Sequence, residues 1–585
     1  MGAADPMAVR VPVGEDSRLW TSRSTSRKVL LVAHNVTSAG RLLDILPLFH
    51  DDFRVQLLVT STESSAFRAG LPELFAELEL PVLPWEQARS LPVDLAVSAS
   101  FGGQLHAIQG KLSVLSHGAG YTKKLARPGA GSREPGAGSR EPTFGLSSEW
   151  LLADGETFVD GLVLSHPEQL ARLRRACPEA EKAAVLAGDP CFDRMLAARP
   201  YRERFRRSLG VRRGQRLVVL NSTWNPEGFF GNGGGQDVLP SLLPRLTAEL
   251  PADEYRLAAV LHPNIWYGHG PGQIRAWLDQ ARRSGLALID PVHAWRQALM
   301  AADVVLGDFG AVSYYAAALG LPVMLAAAAQ DRLDPDAPLA SFVRNAPRLD
   351  PHALLREQVE KVLAEHRPLT APAEFATSAP GASAALLRRH FYTLMDLPEP
   401  TAPALLEPLP LPAYDPPRRT APLHVWARVR GSEVVIERST GRPYRVDGDA
   451  HLAVHEDGLD PGSLEQADVI TRDGQPDDPR LGGPEVWTAE VLRRYPHCPV
   501  AAYVTGPHTC TVRARDHGVF RLTAGTGADA DPAAYASSLA AWLAVGATVP
   551  PGGITLRMHA AGGVHPVVVE PVVEPELPGD LAAQP

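Results

Sequence analysis

Between residues 27 and 395, short apolar runs rich in β-branched residues end on polar turns and lead into stretches of helical spacing. This alternation restricts the fold more than any other feature of the chain. The run 28–33 passes into His34-Asn35-Val36-Thr37-Ser38-Ala39-Gly40 and then into an amphipathic stretch, 41–49. Further strands are predicted at 55–59, 91–98 and 111–116, with a helix over 66–78. A second series begins at 217–220, which ends on Asn221. It continues with 256–261 before His262-Pro263, 286–289 before Asp290-Pro291, and 304–306 before Gly307-Asp308-Phe309-Gly310. Helical spacing falls at 240–250, 272–284 and 294–302, with Trp295, Leu299 and Ala302 on one face. Strands alternating with helices build parallel sheets, whose ligands bind outside the carboxyl ends of the strands. The expected class is therefore α/β, with two doubly wound Rossmann-like lobes, 27–180 and 181–396.

A chain of 585 residues exceeds a single core, and the remainder divides by composition. Residues 1–26 read as a disordered tail, and a tandem copy of Gly-Ala-Gly-Ser-Arg-Glu-Pro within 128–142 reads as a flexible insertion. Proline-rich 397–422 reads as a semi-rigid linker, and 576–585 as a second tail. Residues 423–575 carry strand-like alternation at 433–437, 511–515 and 554–558 and a helix at 532–543, which predicts a separate α+β domain. The net charge of −9 argues against nucleic acid as a partner. Four scattered cysteines without a CxxC pair fit a reducing compartment, and no apolar stretch is long enough for export or spanning, so a cytoplasmic location is expected. His497, Cys498, His508 and Cys510 lack the spacing of a zinc site, Gly231 to Gly235 lacks the Lys-Ser/Thr of a P-loop, and no metal or cofactor is expected.

Four segments carry chemistry. Ser116-His117-Gly118-Ala119-Gly120-Tyr121-Thr122-Lys123-Lys124 sets an imidazole, small residues and two ammonium groups at a strand end, which suits proton removal beside phosphate. In 303–324, a strand, the turn Asp308-Phe309-Gly310 and a helix with Ser313 in its first turn form a natural diphosphate site. Ser222-Thr223-Trp224 and His262-Pro263-Asn264 close two other strands of that lobe and stand ready to stabilise charge on a transferring group.

The order of these motifs, with Gly188-Asp189-Pro190 and Asp193 between the first and the rest, resembles the CDP-glycerol glycerophosphotransferase (teichoic-acid polymerase) family over residues 27–395. The resemblance implies a transferase of the GT-B fold acting in cell-wall teichoic acid biosynthesis, with an acceptor-side first lobe and a donor-side second lobe. It implies that His117 is the general base on the acceptor hydroxyl and that His262 assists at the transferring phosphate. Ser222, Thr223, Asp308 and Ser313 would line the nucleotide diphosphate site, and CMP would be released; the motifs themselves add Gly118, Lys123, Lys124 and Gly310 as substrate- or nucleotide-binding candidates. A lipid-linked acceptor would bring the protein to the inner membrane face. The chain departs from the family's pattern at Ala119-Gly120, Cys191 and Gly310-Ala311. Two other readings stay open: a UDP-sugar glycosyltransferase or 2-epimerase-like enzyme, and a non-catalytic module that binds a nucleotide or a partner.

Overall fold

The computed structural model describes residues 8–14, 16–125, 142–235, 237–414, 416, 418–441, 447–525 and 528–573; most of the expected insertion lies outside them. Among these residues the first lobe is a seven-stranded sheet in the order Val82–Leu83, Val55–Ser61, Arg27–Ala33, Leu95–Ser98, Lys111–Val114, Gly161–Leu164, Ala184–Leu186, with every pairing parallel. The second lobe is a five-stranded parallel sheet in the order Ala287–Leu288, Tyr255–Leu261, Arg216–Ser222, Val304–Gly307, Val323–Leu325.

The central strands are apolar without interruption because both faces of each sheet are covered. In Arg27–Ala33, Leu30 and Val32 enter one core while Val29, Leu31 and Ala33 enter another. Leu217 and Val219 are divided from Val218 and Leu220 in the same way in the second lobe. Both sheets reverse strand order beside their first strand, so the crevice of one lobe opens after Ala33 and Ser98 and that of the other after Ser222 and Gly307.

The chain passes between lobes more than once. The edge strand Ala184–Leu186 joins the first sheet, helix Pro190–Ala198 crosses over, and helix Ser383–Leu394 returns to pack Leu387, Phe391 and Tyr392 against Phe49 and the first-lobe core. The proline-rich segment is bound down along its length. The Arg194 guanidinium donates to the Glu407 and Pro408 carbonyls, Gln297 donates to Pro410, and Leu409 is buried.

The C-terminal part corrects the expectation of a simple α+β domain. Nine strands close into a barrel: Leu423–Arg430, Glu433–Ser439, Ile554–Ala560, Gly563–Pro571, Gly518–Ala524, Thr509–Ala514, Val500–Gly506, Val469–Asp473 and Asp449–His455, which pairs again with the first. Helix Pro532–Ala544 is buried on all sides, with Tyr535, Leu539 and Trp542 among the strand side chains, and fills the barrel as its core. Local periodicity shows the strands and this helix, but closure depends on pairings between segments more than a hundred residues apart, such as Val434 with Met558.

The barrel is fixed to the second lobe through Arg438, which is 1% exposed and bonds Asp253 at 2.6 and 2.9 Å and Asp531 at 2.7 Å. Asp253 lies just before strand Tyr255–Leu261, whose far end leads into His262. At about 3.3 Å per residue, the length of that strand keeps the barrel roughly 20 Å from the strand ends where ligands bind.

Candidate active site

The carboxyl ends of the two sheets face each other across a cleft of about 800 Å³. His34, His117, His262, Lys123, Thr223 and Gly310 all line it, so motifs from both lobes meet. The His117 loop touches the Gly310 turn directly: a Cβ added to Gly118 would stand 3.8 Å from that of Ala311, and the Tyr315 hydroxyl lies 3.1 Å from the Gly118 carbonyl.

Each of these two motif histidines has its tautomer set by a backbone group. His117 Nδ1 lies 2.9 Å from the Ala99 carbonyl, which only accepts, so Nδ1 carries the proton and Nε2 keeps its lone pair. His262 is the opposite case. Its Nδ1 accepts from the Asn264 amide at 3.1 Å, as the N-cap of helix Pro263–His269, so the proton sits on Nε2. Burial pushes His117 down to about 4, helped by the Arg41 and Lys123 charges and opposed by the Ala99 bond. Burial also holds His262 well below the usual histidine range, with Lys123 and His117 adding to the effect. Near neutral pH one ring therefore offers a bare acceptor and the other a bound donor.

Lys123 reaches across the cleft, donating to Thr223 Oγ1 at 3.1 Å and Asn225 Oδ1 at 2.8 Å, and burial lowers it to about 8. The segment that carries it forms a strap between the lobes. Lys124 N donates to the Arg332 carbonyl at 3.0 Å, Asp334 N to Thr122 at 2.9 Å, and Asp334 accepts from Thr143 and Arg172.

Beneath the cleft lies a buried ionic network. Asp44 takes Arg194 at 2.5 Å and Arg296 at 2.6 Å, while Arg41 donates to Tyr315 and to the His117 carbonyl. The Tyr315 hydroxyl stands 2.5 Å from Asp189, whose other oxygen caps helix Pro190–Ala198. Cys191 accepts from Arg296 at 3.1 Å.

Of the residues singled out from sequence, His117, Gly118, Lys123, Lys124, Ser222, Thr223, His262 and Gly310 line the cleft. Asp308 and Ser313 do not face it; both are fully buried. Asp308 accepts from the amides of Thr223 (2.8 Å), Phe229 (3.0 Å) and Gly310 (3.0 Å), so it shapes the loops rather than meeting a ligand. Its consumption of the Gly310 amide removes one donor from the expected diphosphate site. Ser313 Oγ instead accepts from Asn221 at 3.0 Å. Sequence reasoning missed His34, Arg41 and Tyr315. His34 follows the first strand directly, a position that was itself the signal, whereas the Arg41–Tyr315 pairing joins helices 274 residues apart.

No protein-family model and no curated protein sequence matches the chain. Among solved structures, the wall teichoic acid polymerase TagF is similar at 14% identity and a TM-score of 0.42, over 66% of this chain and 94% of that one. Methanocaldococcus jannaschii UDP-GlcNAc 2-epimerase, solved with UDP-GlcNAc and UDP, is similar at 13% identity and a TM-score of 0.40, over 62% and 99%. Anabaena HepE, in complex with UDP, is similar at 12% identity and a TM-score of 0.32, over 63% and 100%.

Proposed function

We propose that the chain is a nucleotide-dependent transferase that moves a polyol-phosphate group, of the glycerol-phosphate kind, from a CDP-linked donor to a hydroxyl acceptor and releases CMP. The observation that carries the reading is the complementary pair of imidazoles at one cleft, His117 with a bare Nε2 and His262 with a bound Nε2–H. In this reading the acceptor oxygen attacks the β-phosphorus as His117 Nε2 takes its proton. A new P–O bond forms, the P–O bond to the nucleotide breaks, and CMP leaves with that electron pair. His262 Nε2–H and the Lys123 ammonium face the charge that builds on the phosphoryl oxygens. The strap and the buried ionic network hold the lobes together, which favours a fixed geometry and the exclusion of water.

A thermal-shift panel of CDP-glycerol, CDP-ribitol, CMP, UDP-GlcNAc and UDP, on wild type and His117→Ala, tests the proposal. Stabilisation by cytidine ligands in both proteins, with CMP release only in wild type, is the expected result. Preference for uridine ligands replaces the donor with a UDP-sugar, and silence toward every nucleotide overturns the reading.

A further inference from the structure

The second lobe carries an aromatic surface outside the cleft. Helix Pro263–His269 starts beside His262, which lines the cleft, and ends at His269, seven helical residues or about 10 Å further out. There His269 meets Trp277, the last residue of helix Pro271–Trp277, edge to face with 5.0 Å between ring centroids. Phe230 completes the trio, 6.0 Å from Trp277 and 6.4 Å from His269. Its amide donates to Ser222 Oγ at 2.8 Å, and Ser222 lines the cleft, so the trio is tied directly to the cleft wall.

A lone exposed tryptophan needs no explanation, because a folded chain cannot cover all of its apolar surface. Trp277 differs in being braced. Two rings hold its flank, yet it is 53% exposed, and His269 is exposed beside it. The nearby backbone leaves the approach clear: a Cβ added to Gly270 or Gly272, at the start of its helix, would meet nothing within 4 Å. Polar groups border the trio. Gln273, one turn before Trp277 on the same helix face, and Asn232, two residues beyond Phe230, are both exposed.

We propose that Trp277, braced by Phe230 and His269, is a stacking platform for the pyranose rings of a neutral glycan, separate from the site where transfer takes place. The face of an indole is electron-rich and attracts the weakly positive C–H groups that line the faces of a β-glucopyranose ring. The hydroxyls of such a ring point outward around its edge, toward the His269 nitrogens and the Gln273 and Asn232 amides, which can exchange hydrogen bonds with them. A nucleotide fits less well. The one cation of this helix, Arg275, stands two residues before Trp277 and does not share its face, so the helix offers a phosphate no counter-charge there. A glycan held on the platform lies beside the cleft mouth, which raises its local concentration without a part in the reaction. The platform does not depend on which donor or group the cleft handles.

Saturation-transfer NMR on the full chain tests the platform, with cellotriose as the stacking probe, mannitol as a polyol without a flat C–H face, and CMP as a nucleotide. Cellotriose is expected to give signal in wild type and mannitol none. In Trp277→Ala the Kd for cellotriose should rise about tenfold, the worth of a good aromatic contact, whereas Trp277→Phe, which keeps a ring, should stay within about threefold of wild type. Melting temperature reports whether each variant folds, and His269→Ala, which removes the exposed brace and should weaken cellotriose several-fold, keeps the test valid if Trp277→Ala does not. Four results overturn the proposal: no cellotriose signal, a mannitol signal as strong as that of cellotriose, cellotriose binding unchanged in the folded variants, or a CMP signal that Trp277→Ala removes. Nucleotide stabilisation of wild type is read separately. If nucleotides fail while cellotriose binds through Trp277, the transferase reading falls and the platform remains.

Discussion

His117 and His262 differ in which nitrogen bears the proton, and each assignment rests on one backbone group, Ala99 O or Asn264 N. The chemistry is therefore open to single substitutions that leave the fold alone. His117→Asn is expected to lower kcat by about 10²- to 10⁴-fold, the usual worth of a general base, with nucleotide binding retained in the thermal-shift assay. The pH profile of kcat/KM should be bell-shaped. Its acid limb falls as His117 gains a proton near 4, and its alkaline limb falls as Lys123 loses its charge near 8, as initial rates from pH 3.5 to 9.5 would show. Stability has its own dependence. His34, His117, His390 and His451 are each lowered from 6.5 to about 4 by burial. The folded chain thus binds fewer protons than the unfolded one, so this stability is complete above pH 6.5 and lost as pH falls from 6.5 toward 4. The loss from each group reaches about 3 kcal/mol by the lower end, because every tenfold loss of proton affinity on folding is worth roughly 1.4 kcal/mol. Urea midpoints measured across that window should fall steeply and level off below it.

At the scale of elements, strand ends and helix starts decide what reaches the cleft. Strand Lys111–Val114 ends just short of the His117 loop, and Phe144 and Gly145 lie against that loop's aromatic neighbours. Gly145 has φ +80, and a Cβ there would stand 2.5 Å from Tyr121 and 2.8 Å from Phe101. Gly145→Ala should therefore destabilise the first lobe by about 1–3 kcal/mol, seen as a lower urea midpoint. The strap gives another prediction. Asp334→Ala removes the acceptor shared by Thr143 and Arg172, while Arg172 keeps Glu168. The fold should survive, but the Lys124 amide, bonded to the Arg332 carbonyl, should exchange with solvent at least tenfold faster. Much at this scale was legible. The apolar runs marked most of the lobe strands because strands buried on both faces read as continuous hydrophobic segments. The helix expected at 272–284 is instead two, Pro271–Trp277 and Asp279–Arg283, and that expected at 66–78 starts only at Leu71, after Gly70 turns left-handed. In the cleft, sequence located His117, His262 and Thr223 at strand ends but could not tell that Asp308 and Ser313 turn inward. Both residues follow the same strand, and only the packing of Asn221 and the Thr223 amide against them decides their direction.

At the scale of the whole molecule, the barrel and the second lobe share Arg438, Asp253 and Asp531, with Arg356 joining Glu254 and Glu437 beside them. Calorimetry should show these two parts melting as one unit. Arg438→Ala leaves the buried Asp253 carboxylate without its partner, while the half-buried Asp531 keeps Arg212 and Arg419 nearby, at a cost of about 3–5 kcal/mol, and should split the barrel off as a separate transition. Barrel closure was the least legible part of the fold, because a ring is a relation among distant segments and no single stretch encodes it. The helix inside that ring has a consequence for how the protein is made. Seven strands of the barrel precede residue 525 in the chain, while the helix Pro532–Ala544 and the hairpin that seals the ring come last. As the chain leaves the ribosome, the early strands have open edges and no core until the helix emerges, and the ring around that apolar helix stays open until the final hairpin follows. The two lobes can form while synthesis continues, but the barrel must wait for its last strand, Gly563–Pro571, so newly made protein passes through a period in which the finished lobes trail an unsealed sheet that chaperones would need to shield.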